Sequence, residues 1–199
     1  MKNLLKEILM SDDIVFSINN NLDILLNIIP ELNEMIDFPH NHPHHHLDVW
    51  NHTLLSLELS PKEFDIRLAL LLHDIGKPHS YQDKEIRHFK NHPSVSSSIS
   101  KIILERLNFN KEEIKKLCYL IENHDSPISK KDLEINKELT NKRFKIQICD
   151  ALAHSPEKLE KRLKYLYNIN SQLNNTSTEL ITNSLTRLKK KYQKLYVCK

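Results

Sequence analysis

The chain contains a single glycine, Gly76, among 199 residues. Tight β-hairpin turns depend on glycine for backbone conformations with positive φ. A chain with one glycine therefore has few means of building β-hairpins. A bundle of α-helices needs no β-hairpin, so the shortage of glycine predicts an all-α fold. Gly76 follows the apolar run 66–72. We expect it to end that helix in a left-handed conformation, with Pro78 preventing the helix from resuming.

Apolar residues recur at helical spacing along most of the chain. This pattern predicts helices over 2–9, 12–28, 47–59, 61–74, 93–107, 110–124, 137–153, 156–171 and 177–196. Start signals predict N-terminal caps at Asp48, Ser60, Asn110 and Ser155. The irregular stretches 38–46 and 75–92 are both rich in histidine. No linker or internal repeat divides the chain, so we expect one domain over 1–199.

Composition narrows the class of protein. Charged residues make up 28% of the chain, hydrophobic residues 39%, and the net charge is +3, as in many globular proteins. The cysteines Cys118, Cys149 and Cys198 are too widely separated and odd in number for a disulfide framework or a zinc knuckle. The N-terminal residues are charged, and no segment approaches the about 18 apolar residues of a membrane span. We therefore expect a cytoplasmic protein with no membrane contact.

Positive charge is concentrated near the C-terminus, where no acidic residue follows Glu179. The basic residues there are Arg187, Lys189, Lys190, Lys191, Lys194 and Lys199. This pattern is typical of the solvated face of a last helix, and RNA binding is the alternative interpretation.

Ionisable side chains lie on the apolar faces of four predicted helices. They are His52, His73, Asp74, His124 and Asp150. A single histidine in such a position is more often a hydrogen-bonded core residue, but burying an unpaired carboxylate costs several kcal/mol. A divalent cation would compensate the carboxylates and accept neutral imidazoles at the same time. The five residues together therefore favour a metal site.

The order of these residues resembles a known signature. His52, then His73-Asp74 within His-Asp-Ile-Gly-Lys, then Asp150, is similar to the H…HD…D motif of the HD superfamily of metal-dependent phosphohydrolases. Further segments resemble the HD region of the bacterial CCA-adding tRNA nucleotidyltransferase and poly(A) polymerase group: 30–32, 45–54, 70–78, 88–92 and 150–154. The resemblance covers about 28–155 and leaves about 156–199 as a C-terminal helical extension. It implies an all-α HD-domain bundle with the metal site between central helices.

Two departures separate this chain from those transferases. They carry a nucleotidyltransferase domain with a Gly-Ser motif and paired aspartates before the HD region. Residues 1–45 contain no such pattern, so we expect no tRNA-tailing domain in this chain. His44 also stands where the family often has tyrosine, which weakens any inference of substrate from the transferase group.

The resemblance implies roles for individual residues. The implied metal ligands are His52, His73, Asp74 and Asp150. Oxygen and nitrogen ligands suit Mn, Fe, Co, Ni, Mg or Zn. The metal would lower the pKa of a water for attack on phosphorus, and Asp74 would also hold that water. His88, His92 and His124 resemble the extra ligands of members that bind a second metal, and contact with phosphate or acid–base catalysis is the alternative for them.

Two further residues are expected to contact substrate. Lys77 would neutralise developing phosphate charge, unless it is a solvent-exposed lysine. His45 lies in the histidine tract 40–46, which we expect to border the mouth of the site. An alternative interpretation of this tract is that the protein buffers metal ions through its histidines.

We therefore predict a metal-dependent phosphohydrolase with one or two divalent ions. The expected substrate is a phosphate monoester or diester, such as a nucleotide or a 2′,3′-cyclic phosphate end. The alternative is a catalytically silent HD module that binds nucleotide or RNA as a regulator. Intact candidate ligands argue against a silent module, whereas the basic C-terminus argues mildly for an RNA partner.

Overall fold

The structure, a computed structural model, describes residues 1–43, 45–82 and 86–192, without the side chains of Lys130 and Lys158. His44, Lys194, Cys198 and Lys199 therefore lie outside the described residues. The α-helices within them are α1 Lys2–Leu9, α2 Ile14–Asn20, α3 Leu22–Ile28, α4 Val49–Glu58, α5 Phe64–Leu72, α6 His92–Arg106, α7 Lys111–Glu122, α8 Lys130–Ile135, α9 Lys137–Ala153, α10 Leu159–Gln172 and α11 Thr178–Lys191. Short 3₁₀ helices span Pro30–Met35, Lys77–His79 and Pro156–Lys158. The described part of the chain contains no β-strand, which confirms the all-α prediction.

Two of the expected helix caps are present. The Asp48 carboxylate accepts from the Asn51 amide at 2.7 Å at the start of α4. Asn110 and Glu113 form a reciprocal capping box at the start of α7. These bonds satisfy amide groups that the first turn of a helix leaves without partners, and they fix where two site-bearing helices begin.

The expected caps at Ser60 and Ser155 are wrong. The helix after Ser60 begins only at Phe64, because the Ser60 hydroxyl donates to the Leu57 carbonyl at 2.6 Å and accepts from Arg67 at 3.2 Å. Ser155 precedes a 3₁₀ turn rather than an α-helix, and its side chain makes no cap hydrogen bond.

The core surrounds α5, in which every residue from Ile66 to Leu72 is buried. This helix contacts α1, α4, α7 and α9. Its one buried charge, Arg67, donates to the carbonyls of Leu9 and Ser11 at 2.7 and 2.8 Å. These acceptors lie at the end of α1, so the arginine satisfies carbonyls that a helix C-terminus leaves without partners. Arg67 thereby anchors the first half of α5 to the end of α1, within the core.

Gly76 has φ −84° and ψ −9°, so the expected left-handed helix stop is wrong. Its missing side chain permits close packing instead. A Cβ atom at this position would lie 2.5 Å from the Ser96 amide nitrogen and 2.8 Å from the His92 carbonyl oxygen. The Gly76 amide also donates to the Ser96 hydroxyl at 2.9 Å. Helix α6 therefore lies directly against the turn that follows α5, and this contact brings His92 to Asp74.

Asparagine takes the place of glycine at the left-handed turns. The described residues with positive φ are Asp37, Asn41, Asn91, Asn108, Asn174 and Asn175. Asparagine and aspartate tolerate this conformation because their short side chains can hydrogen-bond to nearby backbone. Asn91 precedes α6 and Asn108 follows it, so two such turns bound the helix that carries His92.

The basic helix α11 packs against α9. Arg187 donates to the Glu58 carbonyl at 2.6 Å, and Lys191 pairs with the Glu58 carboxylate. Part of its positive charge is thus used in contacts with α4, while Lys189 and Lys190 are exposed. Among the described helices, none has the length and apolar character needed to cross a membrane.

Candidate metal centre

Six ionisable side chains from five helices converge at one place in the bundle. They are His52 of α4, His73 and Asp74 in the turn after α5, His92 at the start of α6, His124 just after α7, and Asp150 of α9. Four of them are at most 2% exposed, Asp150 is 8% exposed, and the side chain of His92 is 12% exposed. All six residues were candidate site residues in the sequence, His92 through the family resemblance, and the structure brings their side chains together.

The first group of possible ligands contains His52, His73 and Asp74, whose ligand atoms lie within 4.8 Å of one another. Asp74 Oδ2 lies 3.7 Å from His52 Nε2 and 3.3 Å from His73 Nε2. Asp150 Oδ1 lies 2.9 Å from His52 Nε2 and 3.6 Å from His73 Nε2. The buried atoms His73 Nε2 and Asp74 Oδ1 have no hydrogen-bond partner among the described residues. A cation would satisfy both atoms, so this donor set fits a metal ion.

A second group uses the other oxygen of the same carboxylate. Asp74 Oδ1 lies 3.3 Å from His92 Nε2 and 3.9 Å from His124 Nε2. The ligand atoms of these three residues also lie within 4.8 Å of one another. Asp74 therefore faces two adjacent groups, one with each oxygen.

Hydrogen bonds to the backbone fix the tautomers of three of these histidines. Nδ1 contacts the carbonyl oxygen three residues earlier, at 2.7 Å for His73, 2.9 Å for His92 and 2.8 Å for His124. A carbonyl only accepts, so Nδ1 carries the proton and Nε2 of the neutral ring carries a lone pair. His92 Nε2 and His124 Nε2 are 3.3 Å apart. Two lone pairs at this distance repel each other unless a proton or a metal ion binds there.

Mutual electrostatics keep both carboxylates ionised. Burial opposes ionisation of Asp74, but His73 and Lys77 outweigh it and hold its pKa well below the usual value. Burial likewise opposes ionisation of Asp150, and the neighbouring His154 and His52 hold its pKa low. Burial disfavours a charged His73, yet the two carboxylates raise its pKa to about 10. A proton on His73 and a divalent cation therefore compete for the same negative charge.

Lys77 is buried at 4% exposure, which excludes the alternative of a solvent-exposed lysine. Its Nζ donates to Asp74 Oδ2 at 2.7 Å and to His40 Nε2 at 2.9 Å. His40 is 2% exposed, and its Nδ1 donates to the Leu47 carbonyl at 2.8 Å. Burial and the nearby Lys77 lower the pKa of His40 to about 2, so it is a neutral acceptor.

Two histidines without a role in the sequence analysis belong to the same site. His154 Nδ1 donates to the Asp150 carbonyl at 2.8 Å, and His52, Asp150 and His154 form a third possible ligand group. His40 stacks on His45 with ring centroids 3.8 Å apart. The signal for His154 was its i+4 spacing from Asp150, whereas His40 lies in an irregular segment without periodicity.

A cleft of about 420 Å³ opens over this centre, lined by Asp74 and Asp150 among others. Positive charge in its wall comes from Lys77, Arg87 and Arg162. The Arg87 guanidinium lies 4.5 Å from the Tyr81 ring centroid. Neither arginine is predicted from the sequence as a site residue, because neither belongs to a motif.

His45 lines the cleft, as expected for a residue near its mouth, and His88, expected as an extra ligand or a phosphate contact, lines it as well. His88 belongs to none of the three possible ligand groups of the described residues, and its ring centroid lies 5.5 Å from that of His42. Burial lowers the pKa of His45 far below the usual histidine value, so its ring is neutral.

Relatives of known activity match part of the chain. The CC-adding tRNA nucleotidyltransferase of Thermus thermophilus is 35% identical over 104 residues, which is 48% of this chain and 24% of the relative. The multifunctional CCA protein of Hahella chejuensis is 32% identical over 99 residues, 47% of this chain and 23% of the relative. The A-adding tRNA nucleotidyltransferase of Deinococcus radiodurans is 30% identical over 107 residues, 50% of this chain and 25% of the relative. The chain thus spans about a quarter of the length of these relatives.

A family model described as HD domain matches residues 44–164, more than half of the chain. The matched segment contains all six side chains that converge between the helices. Together with the order His52, His73-Asp74 and Asp150, the match shows that the chain belongs to the HD-domain family.

Proposed function

We propose that the protein is a metal-dependent phosphohydrolase that acts on a phosphate monoester or diester. The observation that carries the proposal is the shared carboxylate of Asp74, whose two oxygens lie 3.3 Å from His73 Nε2 and 3.3 Å from His92 Nε2. The first ion would be held by His52, His73, Asp74 and Asp150, and a second by Asp74, His92 and His124. This set of nitrogen and oxygen donors contains no thiolate and suits Mn, Fe, Co, Ni, Mg or Zn.

The chain's own residues would bind and orient the phosphate. A divalent ion supplies Lewis acidity toward a phosphoryl oxygen and lowers the pKa of water at the site. Lys77, held by Asp74 and His40, presents a fixed positive charge in the cleft wall that would offset charge on the phosphate. His92 and His124 would either ligate or, around a single ion, contact phosphate and transfer protons.

A nucleotide is the proposed substrate class. Two of the relatives carry names that specify tRNA, and the wall of the cleft contains arginine and lysine side chains. The second candidate function is a silent module that binds nucleotide or RNA. Two relatives whose names specify tRNA favour it, because the matched region is only about a quarter of each of those proteins.

The test is metal analysis of untagged wild type beside Asp74→Asn and Asp125→Asn. Asp125 is the matched control, since this exposed carboxylate lines the same cleft but belongs to no possible ligand group. Each protein is assayed with p-nitrophenyl phosphate and bis(p-nitrophenyl) phosphate in added Mn²⁺ or Ni²⁺, after circular dichroism has shown that it is folded. We expect one or two ions per chain and hydrolysis in the wild type and in Asp125→Asn, and loss of both in Asp74→Asn.

Other outcomes separate the alternatives. If folded Asp74→Asn retains metal, the metal-binding site would be assigned to the histidine tract 40–46, and the ligand assignment proposed here would be overturned. Metal without hydrolysis in any protein would favour the silent module. In that case tRNA retention on a column is measured at low and moderate salt, since binding driven by phosphate contacts falls steeply with salt.

A further inference from the structure

We propose that the cleft contains a second phosphate subsite formed by Lys161 and Arg162 of α10, and that the substrate therefore carries at least two phosphate groups. The inference rests on the proposed function, because it assigns the reacting phosphate to the metal centre. It adds a ligand class for a part of the molecule that the metal groups do not use.

The subsite lies in an extension of the cleft that we call the outer lobe. This cavity measures about 480 Å³ and shares most of its lining with the cleft, including His45, His154 and Arg162. Lys161 lines the outer lobe but not the cleft over the metal centre. The two spaces are therefore continuous, and each falls within the range of roughly 300–1,000 Å³ typical of small-molecule sites.

The charge of the outer lobe differs from that of the metal centre. The cleft over the centre contains Asp74, Asp125 and Asp150, whereas the lining of the outer lobe, within the described residues, includes no carboxylate. Its formally charged side chains are Lys161 and Arg162. A wall that contains two basic side chains and, among the described lining residues, no carboxylate favours an anion over a metal ion.

Helix α10 is anchored so that these side chains face the cleft. The Tyr165 hydroxyl donates to Gln147 Oε1 of α9 at 3.2 Å. One nitrogen of the Arg162 guanidinium donates to the Ser155 carbonyl at 2.6 Å, and the side chain is half-buried. An arginine fixed in this way before a ligand arrives loses less side-chain entropy on binding, and its planar group matches two phosphate oxygens.

One phosphate does not account for both parts of the cleft. A phosphate at the metal centre meets Lys77, which is already fixed by Asp74. Lys161 lines only the outer lobe, so it would contact a second group of the same substrate. That group is either the next phosphate of a diphosphate or a phosphate on another position of the nucleoside.

Calorimetry tests the subsite on the wild-type protein loaded with Mn²⁺. The probes are AMP, ADP and adenosine 3′,5′-bisphosphate, which separate adjacent phosphates from phosphates on two positions of the sugar. We expect at least one doubly phosphorylated probe to bind at least tenfold more tightly than AMP. Lys161→Ala and Arg162→Ala should reduce that ratio to under threefold, and Lys161→Ala carries the test if the half-buried arginine proves necessary for folding.

Lys164→Ala is the matched control. Lys164 lies on the same helix, is exposed, pairs with Glu160 at 2.9 Å and lines neither cavity. It should leave the affinity ratio unchanged. Equal wild-type affinity for all three probes would overturn the proposal, as would a tenfold preference that persists in Lys161→Ala, or a loss of AMP affinity by the same factor as that of the other probes.

Hydrolysis of p-nitrophenyl phosphate by the same samples keeps the two proposals apart. A preference for two phosphates without hydrolysis would leave the subsite standing and overturn the phosphohydrolase. Hydrolysis without any preference would overturn the subsite alone.

Discussion

At the scale of single residues, His40 fixes the position of a buried charge. Its Nδ1 proton is committed to the Leu47 carbonyl, so its Nε2 can only accept, and Lys77 donates to it at 2.9 Å. Lys77 in turn contacts Asp74 at 2.7 Å. Through these two hydrogen bonds of Lys77, His40 helps to orient the Asp74 carboxylate, which both ligand groups share.

Removing this acceptor should destabilise the protein. His40→Leu leaves the Lys77 ammonium group buried with one partner fewer, and we expect the free energy of unfolding to fall by about 1–3 kcal/mol. His40→Gln retains an acceptor oxygen and should lose less. Urea unfolding of the metal-free proteins measures both changes, and equal losses in the two variants would contradict this role.

Gly76→Ala should strain the contact between α6 and the turn after α5. The added methyl group would lie 2.5 Å from the Ser96 amide nitrogen, a backbone atom that moves only with its helix. We expect a loss of about 1–3 kcal/mol in the free energy of unfolding, because overpacking forces the backbone to shift.

The matched control is the double variant Gly76→Ala with Ser96→Ala. It removes the Ser96 hydroxyl 2.8 Å from the new atom but leaves the amide in place. Thermal unfolding should therefore show no rescue. Full recovery in the double variant would mean that the hydroxyl, not the backbone, sets the close approach.

The sequence predicted which ionisable residues lie together at the candidate metal centre, but it did not predict the reason for Gly76. His73, Asp74 and Asp150 were found because a buried carboxylate beside imidazole is unusual on an apolar helix face. The local pattern around Gly76, an apolar helix before it and a proline after it, predicts a left-handed turn. Its actual constraint comes from Ser96, twenty residues away, and no local pattern reports such a contact.

At the scale of helices, Asp65 joins three of them. This residue of α5 pairs at 2.5 Å with Lys116 of α7 and at 2.5 Å with Lys142 of α9. Burial raises the pKa of Asp65, but the two ammonium groups outweigh burial and the pKa lies below its usual value. The carboxylate is thus ionised in the folded protein and holds two like charges together.

Asp65→Asn should destabilise the protein by about 1 kcal/mol at pH 7, a modest figure because the cluster is partly screened by solvent. Since the folded-state pKa is lowered, the stabilisation is present above the usual carboxyl pKa of 3.8 and is lost as the pH falls through the lowered value. Urea unfolding at several pH values between 6 and 3 should show the gap between wild type and variant narrowing.

Asp12→Asn provides the comparison, because Asp12 pairs with Lys62 at the surface and its side chain is 96% exposed. We expect this substitution to leave stability nearly unchanged across the same pH range. A gap for Asp65→Asn that stays constant with pH would mean that the carboxylate acts through packing rather than charge.

A helix boundary was predictable from the sequence where the capping side chain bonds to an amide three residues away. It was not predictable where other groups occupy the hydrogen-bonding atoms of that side chain. Asn110 caps α7 with a partner three residues away. Ser60 fails as a cap because Arg67 and the Leu57 carbonyl occupy its hydroxyl. The predicted helix 12–28 is divided at Asn21, whose side chain donates to the Ser17 carbonyl at 2.8 Å. Such side-chain bonds to the backbone interrupt a helix without changing its apolar periodicity.

At the scale of the whole molecule, metal binding should stabilise the entire fold. The possible ligands span residues 52–150 and five helices, so a bound ion links most of the bundle. A ligand that binds only the folded state at 100 times its dissociation constant adds about 2.7 kcal/mol. For a chain of this size we expect Mn²⁺ to raise the melting temperature by about 5–10 °C.

Thermal unfolding in Mn²⁺ and in EDTA measures this shift. Asp150→Asn should show little difference in melting temperature between Mn²⁺ and EDTA, since it lacks one of the carboxylates proposed to hold the first ion. Asp125→Asn should behave like the wild type. A shift of equal size in Asp150→Asn would place the stabilising ion elsewhere.

The family and the fold class were predictable for the whole molecule, because a long helical periodicity and the H…HD…D order both survive in the sequence alone. The shape of the cleft was not. Arg87 and Arg162 reach it from an irregular segment and from α10, and their sequence neighbours give no sign of a common destination. The extent of the single domain over 1–199 stays a prediction.

The separation of His52 from Asp150 along the chain sets an order of events during synthesis. Their side chains are 2.9 Å apart in the folded protein but 98 residues apart in sequence. At about 5–20 residues per second, a ribosome needs on the order of 5–20 seconds to add that length. For most of this interval the nascent chain contains His52, His73 and Asp74 but still lacks Asp150. A cation that uses Asp150 as a ligand would therefore bind only after that segment has been made, and not to the earlier nascent chain.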